Sequence, residues 1–70
     1  MTFETLIKIL DALKQGKKIL VLEEGWEGYH KVDEIEKDAC IEHYIKYFIN
    51  PKFQFLIYEQ NKELWEMEVL

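Results

Sequence analysis

The chain lacks serine and arginine altogether, and its 70 residues include one cysteine, one proline and three glycines. Without serine, catalysis by a serine nucleophile is excluded. Without arginine, the bidentate guanidinium clamp that commonly holds phosphate and carboxylate groups is absent. Cys40 has no second cysteine to pair with, whereas small secreted domains usually carry several disulfides. We therefore expect a cytoplasmic protein that is not an enzyme.

Long apolar runs and an excess of basic charge are also missing. The longest apolar run, Ile19 to Leu22, is far too short to cross a membrane. The first ten residues contain Glu4 and Lys8 and do not resemble a signal sequence. Fourteen acidic residues outnumber nine lysines, which disfavours non-specific binding to phosphate backbones. We expect neither a membrane nor a direct nucleic-acid partner.

Apolar and aromatic residues, in contrast, are abundant. Hydrophobic residues make up 49% of the chain, too many for a disordered protein, so residues 1–70 are expected to fold as a single domain. Two tryptophans, four tyrosines and four phenylalanines exceed what so small a core can bury. The surplus predicts aromatic side chains at an interface, and with it a homo-oligomer.

Apolar spacing predicts an amphipathic helix over residues 3–15. Thr2 is placed to cap its first turn, and Gly16 to end it. The apolar positions that recur at helical spacing are Phe3, Leu6, Ile7, Leu10 and Leu13.

Strands are predicted on either side of the first glycine-rich segment. Residues 18–23 are apolar at both alternating sets of positions, which is typical of a strand buried on both faces. A turn is predicted at 23–25, followed by a returning strand over 26–32 in which Gly28 permits a bulge.

The second half of the chain predicts a short helix and a hairpin. Asp33 and Glu36 resemble a helix-capping box, and residues 40–49 fit a short helix better than a strand, although both periods are present. Alternating residues at 53–57 and 65–69 flank a turn at 60–62. The expected fold is α+β: an N-terminal helix packed on an antiparallel sheet of about four strands, with a possible second short helix. The expected buried residues are Leu6, Leu10, Leu13, Val21 and Trp65.

The metal-ligating and nucleophilic side chains are few. His30, Cys40 and His43 are the only soft ligands, and nothing pairs them at the spacing that zinc sites use. A cysteine and a histidine on one short element also lack the third, orienting group of a catalytic set. We therefore expect no metal, no cofactor and no catalytic residue.

The segment around the first tryptophan is the strongest candidate for a binding surface. Trp26 and Tyr29 lie among three acidic residues and two glycines, and glycine-bounded loops present aromatic side chains to partners. Glu24 and Glu27 extend this surface with negative charge. The alternative is that the acidic residues act as a decoy, mimicking nucleic acid at a basic site of another protein.

Three short motifs carry a resemblance to a known family. The opening TFETLIKILDALKQGKKI, the segment GWEGY and the closing LWEMEV resemble small phage-encoded proteins of the Thoeris anti-defense family, over residues 2–29 and 63–69. Members of that family sequester a cyclic ADP-ribose signal as oligomeric sponges. Where the family often has a basic pair, this chain has Glu23 and Glu24. The resemblance implies a helix on an antiparallel sheet, non-enzymatic binding, and Trp26 and Tyr29 as binding positions.

These observations predict a small non-enzymatic binding protein. It is expected to act as a phage-type inhibitor or sequestering factor on a host defence or regulatory component. Its partner is then a host protein or a small signalling molecule. The acidic decoy remains the alternative.

Overall fold

One long helix, three strands and three short helical segments make up the computed structural model, which describes residues 1–70. Helix α1 spans Phe3–Lys14, strand β1 spans Lys18–Gly25, and strand β2 spans Gly28–Ile35. A 3-10 helix, η1, at Ile41–Tyr44 leads directly into helix α2 at Ile45–Phe48. Strand β3 spans Phe53–Tyr58, and a second 3-10 helix, η2, spans Leu64–Glu66. None of the helices has the length and apolar content that a membrane span requires.

Helix α1 begins at the predicted residue and ends at Lys14, one residue before the predicted end. The Thr2 hydroxyl oxygen accepts a hydrogen bond from the backbone N–H of Thr5 at 3.1 Å, and Glu4 lies in the first turn. Gly16 takes a φ of +83°, a left-handed conformation that favours glycine and stops the helix. The predicted N-terminal helix is confirmed.

The three strands form one antiparallel sheet in the order β2-β1-β3. Strand β1 continues to Gly25, which pairs with Gly28, so the hairpin turn consists of Trp26 and Glu27. The turn predicted at 23–25 is therefore wrong, because those residues still pair in the ladder. Val21 pairs with Asp33 and Leu22 with Lys31, which leaves Val32 as the extra residue of a bulge.

The two faces of the sheet are covered to different extents. On the helix face, Ile19 and Val21 pack with Ile35 and Phe55 against α1, and residues of η1 and α2 pack around them. On the opposite face, called the open face here, Leu20 and Leu56 are buried with Met67 of the C-terminal segment. The α+β class is confirmed, with three strands in place of the expected four.

Helix α1 packs on the sheet through a different set of side chains from the one expected. Ile9 is completely buried, and Ala12 and Leu13 are buried beside it. Leu13 and Val21 are buried as predicted, whereas Leu6 is half-buried and Leu10 is 45% exposed. The prediction for Leu10 is wrong because α1 carries two apolar stripes, and the stripe that contains Ile9 faces the sheet.

The C-terminal segment is not a fourth strand. Only Val69 bridges to Leu56, and the backbone N–H of Leu70 donates to the carbonyl of Phe55 at 2.7 Å. Upstream, local bonding forms η2, since the Glu66 N–H donates to the Glu63 carbonyl at 2.9 Å. Met67 is consequently buried and Trp65 is 81% exposed, so the prediction of a buried Trp65 is wrong.

The segment between β2 and β3 contains the short helix predicted for residues 40–49, as η1 followed by α2. The capping box predicted to start at Asp33 is wrong, because Asp33 belongs to β2. Its carboxylate instead accepts a hydrogen bond from the hydroxyl of Tyr47, which lies in α2.

Candidate functional site

A groove of 740 Å³ runs between the open face of the sheet and the C-terminal segment. Its floor is Leu20, Leu22 and Leu56. Aromatic and aliphatic side chains from three different parts of the chain form its walls: Tyr29, Tyr58, Leu64, Trp65 and Val69. The volume lies within the range of known ligand-binding clefts, and apolar lining is typical of such sites.

The groove exists because β1 is apolar on both sides while the fold has only one long helix. That helix covers Ile19 and Val21, so Leu20 and Leu22 on the opposite side need another cover. The C-terminal segment provides it through Met67, which is the segment's only buried side chain. Because the cover is narrow, Leu22 stays half-buried and Trp65 stands at the edge of the groove.

One end of the groove is closed by a cluster of three charged side chains. The Lys18 ammonium lies 3.3 Å from one carboxylate oxygen of Glu34, and the Lys31 ammonium lies 2.6 Å from the other. The hydrogen bond from Lys31, together with that from Lys18, lowers the pKa of Glu34. The hydrogen bond to Glu34 raises the pKa of Lys18. Glu34 and Lys18 therefore stay charged near neutral pH, and the Glu36 carboxylate, 3.5 Å from the Lys18 ammonium, adds a second negative charge beside the two lysines.

The lining of the groove combines apolar surface with a few polar groups. Its lining contains no cysteine or histidine, and its titratable groups are lysine, glutamate and tyrosine. No buried residue of the protein is polar or charged. The walls offer aromatic rings, aliphatic surface and a few exposed donors, among them the Lys18 ammonium at 5.8 Å from the Tyr58 ring centre.

The hairpin tip carries the residues that the sequence singled out. Trp26 and Glu27 form the turn itself, and the Trp26 side chain is fully exposed. Glu24 pairs with Tyr29 across the hairpin, so their side chains share one face of the sheet. Tyr29 lines the groove and Trp26 does not. The structure thus joins Tyr29 to the open face and leaves Trp26 and Glu27 protruding beyond it.

The acidic side chains at the tip differ in their pairing. Glu23, the neighbour of Glu24, lies 3.2 Å from the ammonium of Lys52. Glu24 and Glu27 take part in none of the five ion pairs of the chain. The tip therefore presents one indole and two free carboxylates.

Sequence reasoning missed four apolar residues of the groove, namely Leu22, Leu64, Trp65 and Val69. The sequence of β1 contained a signal for the groove, because the residues that point to each of the two faces of the sheet are apolar. A strand of that kind needs cover on two sides, and one amphipathic helix supplies only one. The unmatched side predicts either a second layer or a binding surface.

A larger depression of 920 Å³ lies along β2 and the segment after it. Nine of its twelve lining residues are polar, charged or glycine, and lysines alternate with carboxylates, as in Lys31, Asp33, Glu34 and Lys37. Mixed charge of this kind gives little net field and little apolar contact. We therefore regard the smaller groove as the better site.

The soft metal ligands lie apart from the groove. His30 belongs to β2, Cys40 is exposed just before η1, and His43 lies within η1. No group of three histidine, cysteine, aspartate or glutamate side chains is arranged to hold a metal ion.

Comparison with known proteins adds no relative to this description. No family model, curated protein or solved structure matches the chain.

Proposed function

We propose that the protein is a non-enzymatic binding protein whose groove captures an apolar, aromatic-containing segment of a partner protein. Capture inhibits or sequesters the partner by covering that segment. The observation that carries the proposal is the exposure of Trp65, at 81%, on the wall of an apolar groove that the fold leaves half covered. Exposed tryptophan and tyrosine beside an apolar floor are the anchors that dominate protein–protein binding energies.

A protein segment suits the groove better than a polar signalling molecule does. Small polar ligands are held by a few convergent, buried hydrogen-bonding groups. The protein buries no polar side chain, and the charges at the end of the groove are already paired. Leucine, phenylalanine or tryptophan side chains of a partner would instead displace water from the half-buried Leu22 and from the exposed Leu64 and Trp65 without leaving polar groups unsatisfied.

The short motifs at residues 2–29 and 63–69 support the same class of function. The phage-encoded proteins that they resemble act by sequestration and not by catalysis. Because the groove suits a protein segment better than the small signal that those proteins sequester, the partner that we propose is a host defence or regulatory protein. The chain's net charge of −5 favours a partner with a basic rim.

Substitutions on the walls of the groove test where the partner binds. Affinity capture from the native host, followed by mass spectrometry, identifies the partner, and titration calorimetry then measures each variant. Trp65→Ala and Tyr29→Ala should weaken binding by about 2 kcal/mol each. Ile49→Ala is the control, because Ile49 is exposed and follows α2, which packs on the helix face. If neither groove variant changes the affinity, the groove is not the site.

The acidic decoy is the second candidate, and one observation favours it: Glu24 and Glu27 flank the fully exposed Trp26 without ion-pair partners. The double variant Glu24→Gln/Glu27→Gln separates the two functions. A decoy loses its partner in this variant and keeps it in Trp65→Ala. Trp26→Ala reports whether the contact extends from the groove to the hairpin tip.

A further inference from the structure

Helix α1 carries a second apolar surface that nothing in the chain covers. Phe3 is 77% exposed, Ile7 is 50% exposed and Leu10 is 45% exposed. Positions i, i+4 and i+7 lie one above another on a helix, so the three side chains form one stripe. At 100° per residue the stripe lies about 130° around the helix from Ile9, which faces the sheet. We call Phe3, Ile7 and Leu10 the outer stripe.

Charged side chains lie beside the outer stripe near both ends of α1. Glu4 lies in the first turn, Asp11 lies nearer the end, and Lys14 lies in the last turn. None of the three takes part in an ion pair within the chain. Only Asp11 has a hydrogen-bond partner on the helix surface, the side-chain amide of Gln15 at 2.8 Å. An acidic residue at the start of the helix and a basic residue at its end become complementary when a second, identical helix runs in the opposite direction.

We propose that the outer stripe packs against the outer stripe of a second copy of this chain, with the two α1 helices antiparallel. In that arrangement Ile7 faces Leu10 of the second copy, and Phe3 covers the aliphatic part of Lys14 of the second copy. Glu4 then lies beside Lys14 of the second copy, and the two-fold axis repeats the pair. A parallel arrangement would instead place Glu4 beside Glu4 and Lys14 beside Lys14.

The size of the stripe sets the strength of the dimer. Three apolar side chains on one helix bury less than the roughly 800 Å² per partner of a stable interface. The pairing is therefore a micromolar association and not an obligate one. It also leaves both grooves accessible, because α1 covers the helix face and the groove lies on the open face.

Sedimentation velocity over a range of concentrations tests the proposal with folded, full-length protein. Wild-type protein should approach twice the monomer mass of 8.5 kDa at high micromolar concentration. Leu10→Glu and Phe3→Glu should each remain monomeric, at least tenfold weaker in association. Circular dichroism checks that both variants keep the helix. Asn61→Asp, in the exposed loop after β3, is the control that adds one negative charge elsewhere.

Charge reversal tests the orientation of the helices. Glu4→Lys should weaken the dimer, since it places two lysines side by side, and Glu4→Lys/Lys14→Glu should restore it. The restoration is specific, because the double variant places unfavourable charges at both ends of the helix and cannot gain association through helix stability. A wild-type chain that stays monomeric at millimolar concentration overturns the proposal. So does a dimer that survives both Leu10→Glu and Phe3→Glu, or a double variant no better than Glu4→Lys.

The dimer and the proposed function fail separately. Partner binding is measured with Trp65→Ala, whose side chain is on the open face, and self-association with Leu10→Glu on α1. A variant that loses partner binding can still be tested for self-association, and a variant that loses self-association can still be tested for partner binding.

Discussion

The hydroxyl of Tyr47 donates a 2.8 Å hydrogen bond to Oδ2 of Asp33, fourteen residues earlier in the chain. The bond ties helix α2 to edge strand β2, two elements that are otherwise joined only through the loop and the core. The other oxygen of the same carboxylate accepts from the backbone N–H of Glu34 at 2.8 Å. Asp33 thereby fixes both its own strand and the segment that returns across the helix face.

This bond makes alkaline stability depend on Tyr47. The hydrogen bond to Asp33, with smaller contributions from desolvation and the Asp33 charge, raises the pKa of Tyr47 above its usual 10.0. The stabilisation is complete below the pKa of the unfolded tyrosine and disappears as the pH rises through the higher folded pKa. Urea titrations of wild-type protein and Tyr47→Phe should differ at about pH 8 and converge as the pH rises above the folded pKa of Tyr47. A stability difference between the two proteins that does not change with pH would show that ionisation of Tyr47 has no effect on stability.

Acid stability should depend on Glu34. The hydrogen bonds from Lys31 and Lys18 lower the pKa of Glu34 below its usual 4.5. The contribution to stability is therefore present above the unfolded pKa and is lost as the pH falls through the lower folded pKa. Glu34→Gln should be less stable than wild type near neutral pH and equally stable in strong acid. The gap should narrow in high salt, since the pairs are solvent-exposed. A stability difference between wild type and Glu34→Gln that grows in acid would contradict a lowered pKa of Glu34.

Adjacent residues of α1 should respond very differently to truncation. Ile9 is completely buried, so Ile9→Ala should cost about 2–5 kcal/mol of unfolding free energy. Leu10 is 45% exposed, so Leu10→Ala should cost about 1 kcal/mol or less. Both are measured by denaturant titration at a concentration low enough to keep the chain monomeric. Equal costs would mean that α1 is rotated relative to the sheet.

The fluorescence of the two tryptophans should show that both indoles are in contact with water in the native state. Trp26 is fully exposed and Trp65 is 81% exposed, so neither indole loses much water on folding. The emission maximum should change little when the chain unfolds, and acrylamide should quench native and unfolded protein to similar extents. Trp65→Phe leaves Trp26 alone and separates the two signals. A native emission well to the blue of the unfolded state would place one indole in the core.

The sequence predicts where the helices and strands lie better than it predicts which of their faces pack in the core. The cap at Thr2 and the glycine at 16 fix the ends of α1, because capping depends on neighbouring residues alone. Which stripe of α1 meets the sheet is decided by tertiary packing. Ile9 with Ala12 and Leu13 fits closely on Ile19 and Val21, and spacing alone does not distinguish this set from the outer stripe.

The C-terminal segment shows how local bonding overrides a strand pattern. Trp65, Met67 and Val69 alternate as a strand would, but a strand also needs a ladder of backbone partners. The Glu66 carboxylate instead accepts a hydrogen bond from the N–H of Glu63 at 3.2 Å, within the segment itself. Alternation therefore identified Met67 and Val69 as contact residues and misplaced Trp65, which became a wall of the groove. Trp26 and Tyr29 were singled out as aromatic residues beside glycines, and their part in binding stays a prediction.

The single buried methionine of the C-terminal segment has a consequence for motion. Met67, the half-buried Leu70 side chain, one bridge at Val69 and one hydrogen bond at Leu70 hold this wall of the groove against the sheet. Segments with so few contacts open locally, at a small fraction of the free energy of global unfolding. Amide hydrogens of residues 63–70 should exchange with solvent orders of magnitude faster than those of β1, which is paired on both sides. The width of the groove then depends on an equilibrium between attached and detached positions of residues 63–70. A bulkier partner can bind when this segment detaches, while the sheet stays intact.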